Sequence, residues 1–317
     1  MLDQLRSSRA LTINRSPDFD HFRSIEQLGD ARSLPLDWRN FAACFAAVVL
    51  GSCSVYLQRT FPRILQSRYN STGAIIGFVM DDSLAVTIDG VEARMPSVLL
   101  IRGEASCEMV EPQANIVAFV KFDAIDGRGW PLQSGQARLI PTGPTELAAL
   151  QSVTRDAFLL ASNSADLLQQ PQVICQLEES LLNAADRVLQ WSRPPGDGER
   201  ADLSRYLLLV RKLDEYLYDN PGRTLHSMDV AREFGVSVRT LNNAVNVVRG
   251  LSMHRYVRLR RLWTVRQLLV QGAMAENVKA IALANGFWHM GEFRNLYRDL
   301  FGETPQQTLE AARRHGA

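Results

Sequence analysis

The sequence has little cysteine, little histidine and no long apolar run. Its four cysteines, Cys44, Cys53, Cys107 and Cys175, include no close pair, which excludes zinc-finger spacing and a regular disulfide framework. Buried reduced thiols are the expectation. Of the five histidines only His21 lies in the N-terminal half. A metal-dependent centre needs a cluster of imidazoles, and a Ser/His or Cys/His dyad needs a histidine within reach, so neither is expected there. No catalytic residue, metal ligand or cofactor is assigned, and the chain is not expected to be an enzyme. No run approaches the ~18 apolar residues of a membrane span; the most apolar stretch, Phe41 to Leu50, is short and alanine-rich. The start, MLDQLRSSRA, lacks the apolar core of a secretory signal. A soluble cytoplasmic protein with no membrane partner is expected.

What is present begins with length. At 317 residues the chain exceeds the ~250 to 300 residues at which one hydrophobic core stops growing, so two domains are expected. The net charge of +1 conceals an asymmetry: residues 203–317 hold 17 Lys plus Arg against 10 Asp plus Glu, leaving 18 against 24 for the rest. A C-terminal part of about +7 joined to a remainder of about −6 suggests that only the former faces a polyanion.

The clearest boundary is SRPPGDGERAD, residues 192–202, a linker by composition. Before it, Pro171 to Trp191 has proline in its first turn and an apolar stripe of Val173, Leu177, Leu181, Ala184 and Val188, which predicts a helix. That stripe suits either a dimer interface or packing against the helix's own sheet. A second helix is expected at Thr145 to Leu160. From Phe45 to Phe122 the texture changes to short β-branched and aromatic runs, among them Ala74 to Met80, Leu84 to Ile88 and Ile116 to Phe122, with a hairpin signal at Asp89-Gly90. The first forty residues are polar and carry no clear pattern. The expected class is α+β: an antiparallel β domain with a helical pair, then an all-α domain. In residue ranges, that is a sheet over about 41–140 and helices over about 145–191 within domain 1–191, the linker, and domain 203–317.

The segment TLHSMDVAREFGVSVRTLNNAVNVVRG has the chemistry of a helix-turn-helix. Gly235 supplies a left-handed turn, Ser237 caps the next helix, small Ala231 permits a close crossing, and Val236 and Leu241 fill it. The second helix presents Val238, Arg239, Asn242, Asn243 and Asn246 on one face, and arginine and asparagine are the side chains that pair with guanine and adenine. The alternative is a solvated face that touches nothing. A repeat argues against it: in NVKAIALANGFWHMGEFRNLYRDLFGETP, Ile281 and Ala282 precede Gly286, and a further helix carries Phe293, Leu296 and Tyr297. Between the two, Met253 to Val270 has Leu259, Leu262, Val265 and Leu269 at helical spacing, with Arg255, Arg258, Arg260, Arg261 and Arg266 among them.

Ala231, the GVS turn, Leu241, Gly250, Tyr256, Arg261-Leu262, Leu268-Leu269, Ile281-Ala282, Gly286-Phe287, Phe293 and FGETP at 301–305 together resemble the AraC/XylS family of transcription regulators over roughly Leu203 to Arg313. The resemblance implies seven helices in two units joined by a long helix, with recognition helices in successive major grooves ~10 bp apart. It implies base-facing positions at Val238, Arg239, Asn242 and Asn243, and at Met290, Gly291, Arg294 and Asn295. It also implies double-stranded promoter DNA with paired sites, RNA polymerase and a second copy of the chain as partners. Val245 departs from the family's aromatic core residue, His289 from its capping serine or aspartate, and Met290 and Gly291 offer no hydrogen-bonding side chain. The GFWH run is similar to a subgroup that includes the ethanolamine-utilisation regulator.

The N-terminal half loosely resembles the family's cupin-like sensing domains, with Tyr56, Phe61, Tyr69, Phe78 and Trp130 as candidate pocket aromatics and ordinary core packing as the alternative for each. The function expected is a ligand-responsive activator of a metabolic operon. Two alternatives stand beside it: a regulator controlled by a partner protein or by abundance, and an alkyl-accepting repair regulator. Cysteine spacing speaks against the last.

Overall fold

The computed structural model describes residues 1–16, 19, 22, 28–37, 41–81, 86–93, 96–125, 127–131, 134–190, 198–223, 225–271 and 277–315. His21, Leu84, Trp191 and residues 192–197 of the expected linker lie outside them. The chain divides into two compact units: Met1–Ser33 with Phe41–Gly196, and Leu34–Asn40 with Asp197–Ala317.

The first unit contains β1 (Thr12–Ser16), all but the last two residues of β2 (Gly29–Pro35), β3 (Ala43–Val49), β4 (Cys53–Arg59), β5 (Arg63–Tyr69), β6 (Ala74–Val79), β7 (Thr87–Ile88), β8 (Val91–Glu92), β9 (Ser97–Arg102), β10 (Ala105–Glu111), β11 (Ile116–Phe122) and β12 (Gln136–Pro141), then α1 (Pro144–Asn163) and α2 (Pro171–Gln190). They form a seven-stranded sheet in the order β1-β3-β4-β11-β6-β9-β12 and a five-stranded sheet in the order β2-β5-β10-β7-β8. The described pairings are antiparallel. This is the antiparallel β domain with a helical pair expected of a cupin-like architecture. The sheet region starts earlier than about residue 41, because β1 pairs with β3 and β2 joins the smaller sheet. Both strands carry polar residues toward solvent and bury few side chains, so the first forty residues show no apolar alternation to read.

The seven-stranded sheet is covered on both faces, and its central strands accordingly read as continuous apolar runs. In β6, Ala74, Ile76 and Phe78 face a core shared with α1 and α2. Ile75 faces the opposite layer, with Tyr56, Leu65, Tyr69, Leu99, Cys107 and Phe119, between the two sheets. Asp89 and Gly90 turn β7 into β8 with φ of 50° and 78°, pairing Ile88 with Val91, the positive-φ geometry that the Asp-Gly signal predicts. Helix α2 sends Leu181, Ala184, Val188 and Leu189 into its own unit's core. Its stripe therefore packs on its own sheet, where each large apolar side chain stabilises by about 1.5 to 3 kcal/mol.

The second unit holds α3 (Gly198–Asp219), α4 (Ser227–Glu233), α5 (Val238–Arg249), α6 (Met253–Val270), α7 (Val278–Ala284), α8 (Met290–Phe301) and α9 (Pro305–His315), the seven helices expected. Helix α3 starts at Gly198, so residues 198–202, expected to end the linker, are helical. Their charges suit a helix start as well as a linker, and composition does not separate the two. Asp214 on α3 ties the first half together: its carboxylate accepts from Arg249 Nη2 at 2.8 Å and from the Tyr256 hydroxyl, with Arg260 Nε at 3.9 Å. In the second half Glu303 accepts from Arg266 Nη2 at 3.2 Å and from Thr308 Oγ1 at 2.7 Å. Among the described residues, no helix is long and apolar enough to cross a membrane.

Candidate nucleic-acid interface

Helices α4 and α5 form the first helix-turn-helix, and the turn is closed by backbone geometry. Gly235 takes φ +67° and donates to Arg232 O at 3.1 Å, while Val236 N donates to Ala231 O at 2.9 Å. These are the two bonds of a Schellman turn. Ser237 Oγ then accepts from Thr240 N at 3.0 Å, capping α5. Leu241, Ala244, Val245 and Val248 are buried on one side of α5. Val245, though smaller than the family's aromatic, is wholly buried. The opposite side leaves Arg239, Asn243 and Asn246 exposed, with Val238 and Asn242 half-buried beside them.

The second helix-turn-helix, α7 and α8, repeats this construction. Gly286 takes φ +81° and donates to Leu283 O at 3.0 Å, and Phe287 N donates to Ala282 O at 3.0 Å. Phe293, Tyr297 and Phe301 anchor α8 inward, and Phe287 packs against Phe293 with ring centroids 5.0 Å apart. Gly291, Arg294 and Asn295 are exposed and Met290 is half-buried. Helix α8 begins at His289 without a side-chain cap, so its first amides are left for water or a phosphate oxygen. Trp288, just ahead of it, is 61% exposed.

Helix α6 spans roughly 27 Å at 1.5 Å per residue and joins the two helix-turn-helix pairs. Its buried face carries Leu259, Leu262, Val265 and Leu269. Its five arginines divide by role. Arg260 faces Asp214, Arg261 donates to Arg223 O and Arg266 pairs with Glu303, whereas Arg255 and Arg258 are exposed. Part of the C-terminal charge excess thus holds the fold and part is open to a polyanion, a division that counting does not reveal.

A family model described as a helix-turn-helix domain matches residues 230–311. The XylDLEGF operon transcriptional activator of Pseudomonas putida is 31% identical over 104 residues, 32% of this chain and 32% of the relative. A probable thc operon regulatory protein of Rhodococcus erythropolis is 33% identical over 102 residues, 32% of this chain and 31% of the relative. The chain carries an AraC/XylS-type helix-turn-helix domain. A probable AraC family transcriptional regulator from Rhodopseudomonas palustris, of known structure, is 37% identical and covers 33% of this chain and 97% of that one, with a TM-score of 0.30. The match spans about a third of the curated relatives' length, and these relatives are named as regulators. All eight positions expected to face bases lie on α5 and α8 of the AraC/XylS-type domain.

Among the described residues, the five aromatics proposed for a ligand pocket are spread over several places, although Phe78 lines one cavity beside Arg63 and Tyr69 another. Tyr56 and Tyr69 lie in the layer between the sheets. Phe78 and Trp130 belong to the core facing the helices, where Trp130 Nε1 donates to Asp186 Oδ1 at 2.7 Å. Phe61 packs in a separate aromatic group with Phe19, Phe22 and Phe41. Two inward-facing charges, Arg63 and Glu111, escaped the sequence reading. A signal existed: in RILQSRY the residues Arg63, Leu65, Ser67 and Tyr69 alternate on one face, and in ASCEMVE Glu111 shares a face with Cys107 and Met109. Of the four cysteines three are buried and Cys175 is exposed.

Proposed function

We propose that the protein is a sequence-specific DNA-binding transcription regulator, an activator of a metabolic operon that responds to a small ligand held in its N-terminal unit. The observation that carries the reading is the pair of helix-turn-helix units with matching backbone turns, each exposing polar side chains from one helix while the other face is locked into a core. On this reading α5 and α8 enter successive major grooves, Arg239, Asn242 and Asn243 meet base edges, and Arg255 and Arg258 meet phosphates. The chain works in the cytoplasm as a homodimer on paired promoter sites and contacts RNA polymerase. Control by a partner protein without a ligand is the second reading; the buried charges between the sheets favour the first.

The test is fluorescence anisotropy of the full chain on labelled duplexes between 50 and 200 mM salt. Each phosphate neutralised should contribute about 0.9 to the slope of log K against log salt. A slope of several units, with a preferred duplex surviving competitor DNA, supports the proposal. A flat salt response refutes it.

A further inference from the structure

The first unit contains an arginine whose working end has no partner. Arg63 opens β5 and Glu111 closes β10, and the antiparallel register sets the two directly opposite. Both side chains are only 4% exposed. Arg63 Nε donates to Glu111 Oε2 at 2.5 Å, and the guanidinium carbon lies 5.1 Å from the centre of the Phe61 ring. Among the described residues no protein group accepts from Nη1 or Nη2 of Arg63, and none donates to Oε1 of Glu111. Neither residue is among the side chains whose polar atoms are fully enclosed without a partner, so these ends are open to water or a ligand. Such a group points to something that completes it.

A cavity lies there. Arg63, Glu111 and Ser97 give it a polar wall, and Leu99, Met109 and Phe119 an apolar one, around about 50 Å³. A second space of about 40 Å³, with Gln58, Ser67 and Tyr69, reaches Arg63 as well. At roughly 10 to 15 Å³ per water, the first space holds about three to five waters, enough to enclose part of a small organic molecule. The ion pair is already neutral, so a charged ligand would bring an uncompensated charge into an apolar layer. A hydroxyl or primary amide fits differently: its oxygen accepts from Arg63 Nη and its O–H or N–H donates to Glu111 Oε1, leaving the charge balanced.

We propose that this cavity binds a compact, uncharged, mostly apolar molecule carrying one hydroxyl or primary amide, with Arg63 and Glu111 as its polar anchors. This rests on the reading of the chain as a ligand-responsive regulator and names the chemistry of the ligand.

The experiment uses the full chain and cyclohexanol as probe, with methylcyclohexane, cyclohexylammonium and cyclopentanecarboxylate as matched compounds, measured by calorimetry and thermal shift. Cyclohexanol should raise Tm by about 5 °C or more at a hundred times its Kd, and both ions should bind at least about tenfold more weakly. The double variant Arg63→Met with Glu111→Met replaces a buried pair by apolar side chains, a change that usually preserves folding. Its circular dichroism should match the parent's, and its affinity for cyclohexanol should fall about tenfold while methylcyclohexane binds as before. Equal or tighter binding of either ion overturns the proposal, as does full cyclohexanol affinity in the folded double variant, or no binding by the parent at all. DNA binding measured on the same samples separates the two ideas: intact DNA binding without cyclohexanol binding sinks the ligand assignment alone, and the converse sinks the regulator reading alone.

Discussion

Replacing Asp214 with asparagine removes one charge and keeps the shape, so it isolates what that charge does. The Arg249 side chain is 0% exposed and Asp214 11%, with Arg260 on the same carboxylate at 3.9 Å. Without the carboxylate a fully buried cation loses this counter-charge and has a second cation nearby. Breaking a buried pair in this way costs about 3 to 5 kcal/mol, a large share of the ~5 to 15 kcal/mol that holds a domain together. Tyr256 keeps an acceptor in the asparagine oxygen, so its hydroxyl adds little to the loss. Native-state hydrogen exchange reads the effect locally: amides of Leu241 to Val248 in α5 should exchange about two to four decades faster, while β11 peptides in the other unit stay unchanged. A change below about fivefold, equivalent to ~1 kcal/mol, would refute the assignment of Asp214 as the hub. The pair of changes Asp214→Leu and Arg249→Met should recover most of the protection.

The two turn glycines should differ in cost. Both have positive φ, worth about 1 to 2 kcal/mol to a non-glycine residue, but a Cβ at Gly235 meets open space while one at Gly286 falls 2.8 Å from Arg261 Nη1. Denaturant unfolding should therefore show Gly286→Ala more destabilising than Gly235→Ala, and equal losses would contradict the contact. Thiol titration of the native protein with a chromogenic disulfide should count one fast group, Cys175. Burial raises the Cys44 thiol and pushes Cys53 up to about 12, so their thiolate fractions stay small at neutral pH. Loss of the fast phase must follow Cys175→Ser, and a second fast thiol would show that a buried cysteine is open.

The C-terminal unit was legible because its rules are local. Glycine at a left-handed turn, serine at a cap and apolar residues three and four apart are fixed by neighbours within one helix or turn, and Gly235, Ser237 and Leu241 each sit where that chemistry requires. The hairpin at Asp89-Gly90 was readable for the same reason. What escaped depends on pairing across distance. Strands β1 and β2 gain their place from partners far along the chain. The stripe on α2 looked the same whether it faced a second copy or its own sheet, because periodicity gives a face and not its occupant. Gly198 lay in a run whose composition fits a linker, and its helix was invisible to that criterion. Aromatic type alone does not tell which side of a sheet a residue takes, so Tyr56, Phe61, Tyr69, Phe78 and Trp130 fall in different layers. Arg63 and Glu111, with four strands between them in the chain, become a pair only through the register of β5 with β10.

The most direct test of the central claim, that residues 203–317 read DNA through two unequal helices, is selection of binding sites from a random duplex pool by the full chain and by its Arg239→Ala and Arg294→Ala variants. The parent should select two half-sites ~10 bp apart, sharp under α5 and looser under α8, where Met290 and Gly291 offer no directed hydrogen bond. Arg239→Ala should relax one or two base pairs in the sharp half, each worth about 1 to 3 kcal/mol of discrimination, and Arg294→Ala should weaken good and poor sites alike. Recovery of no preferred sequence, or loss of discrimination in the Arg294 half alone, would contradict the account.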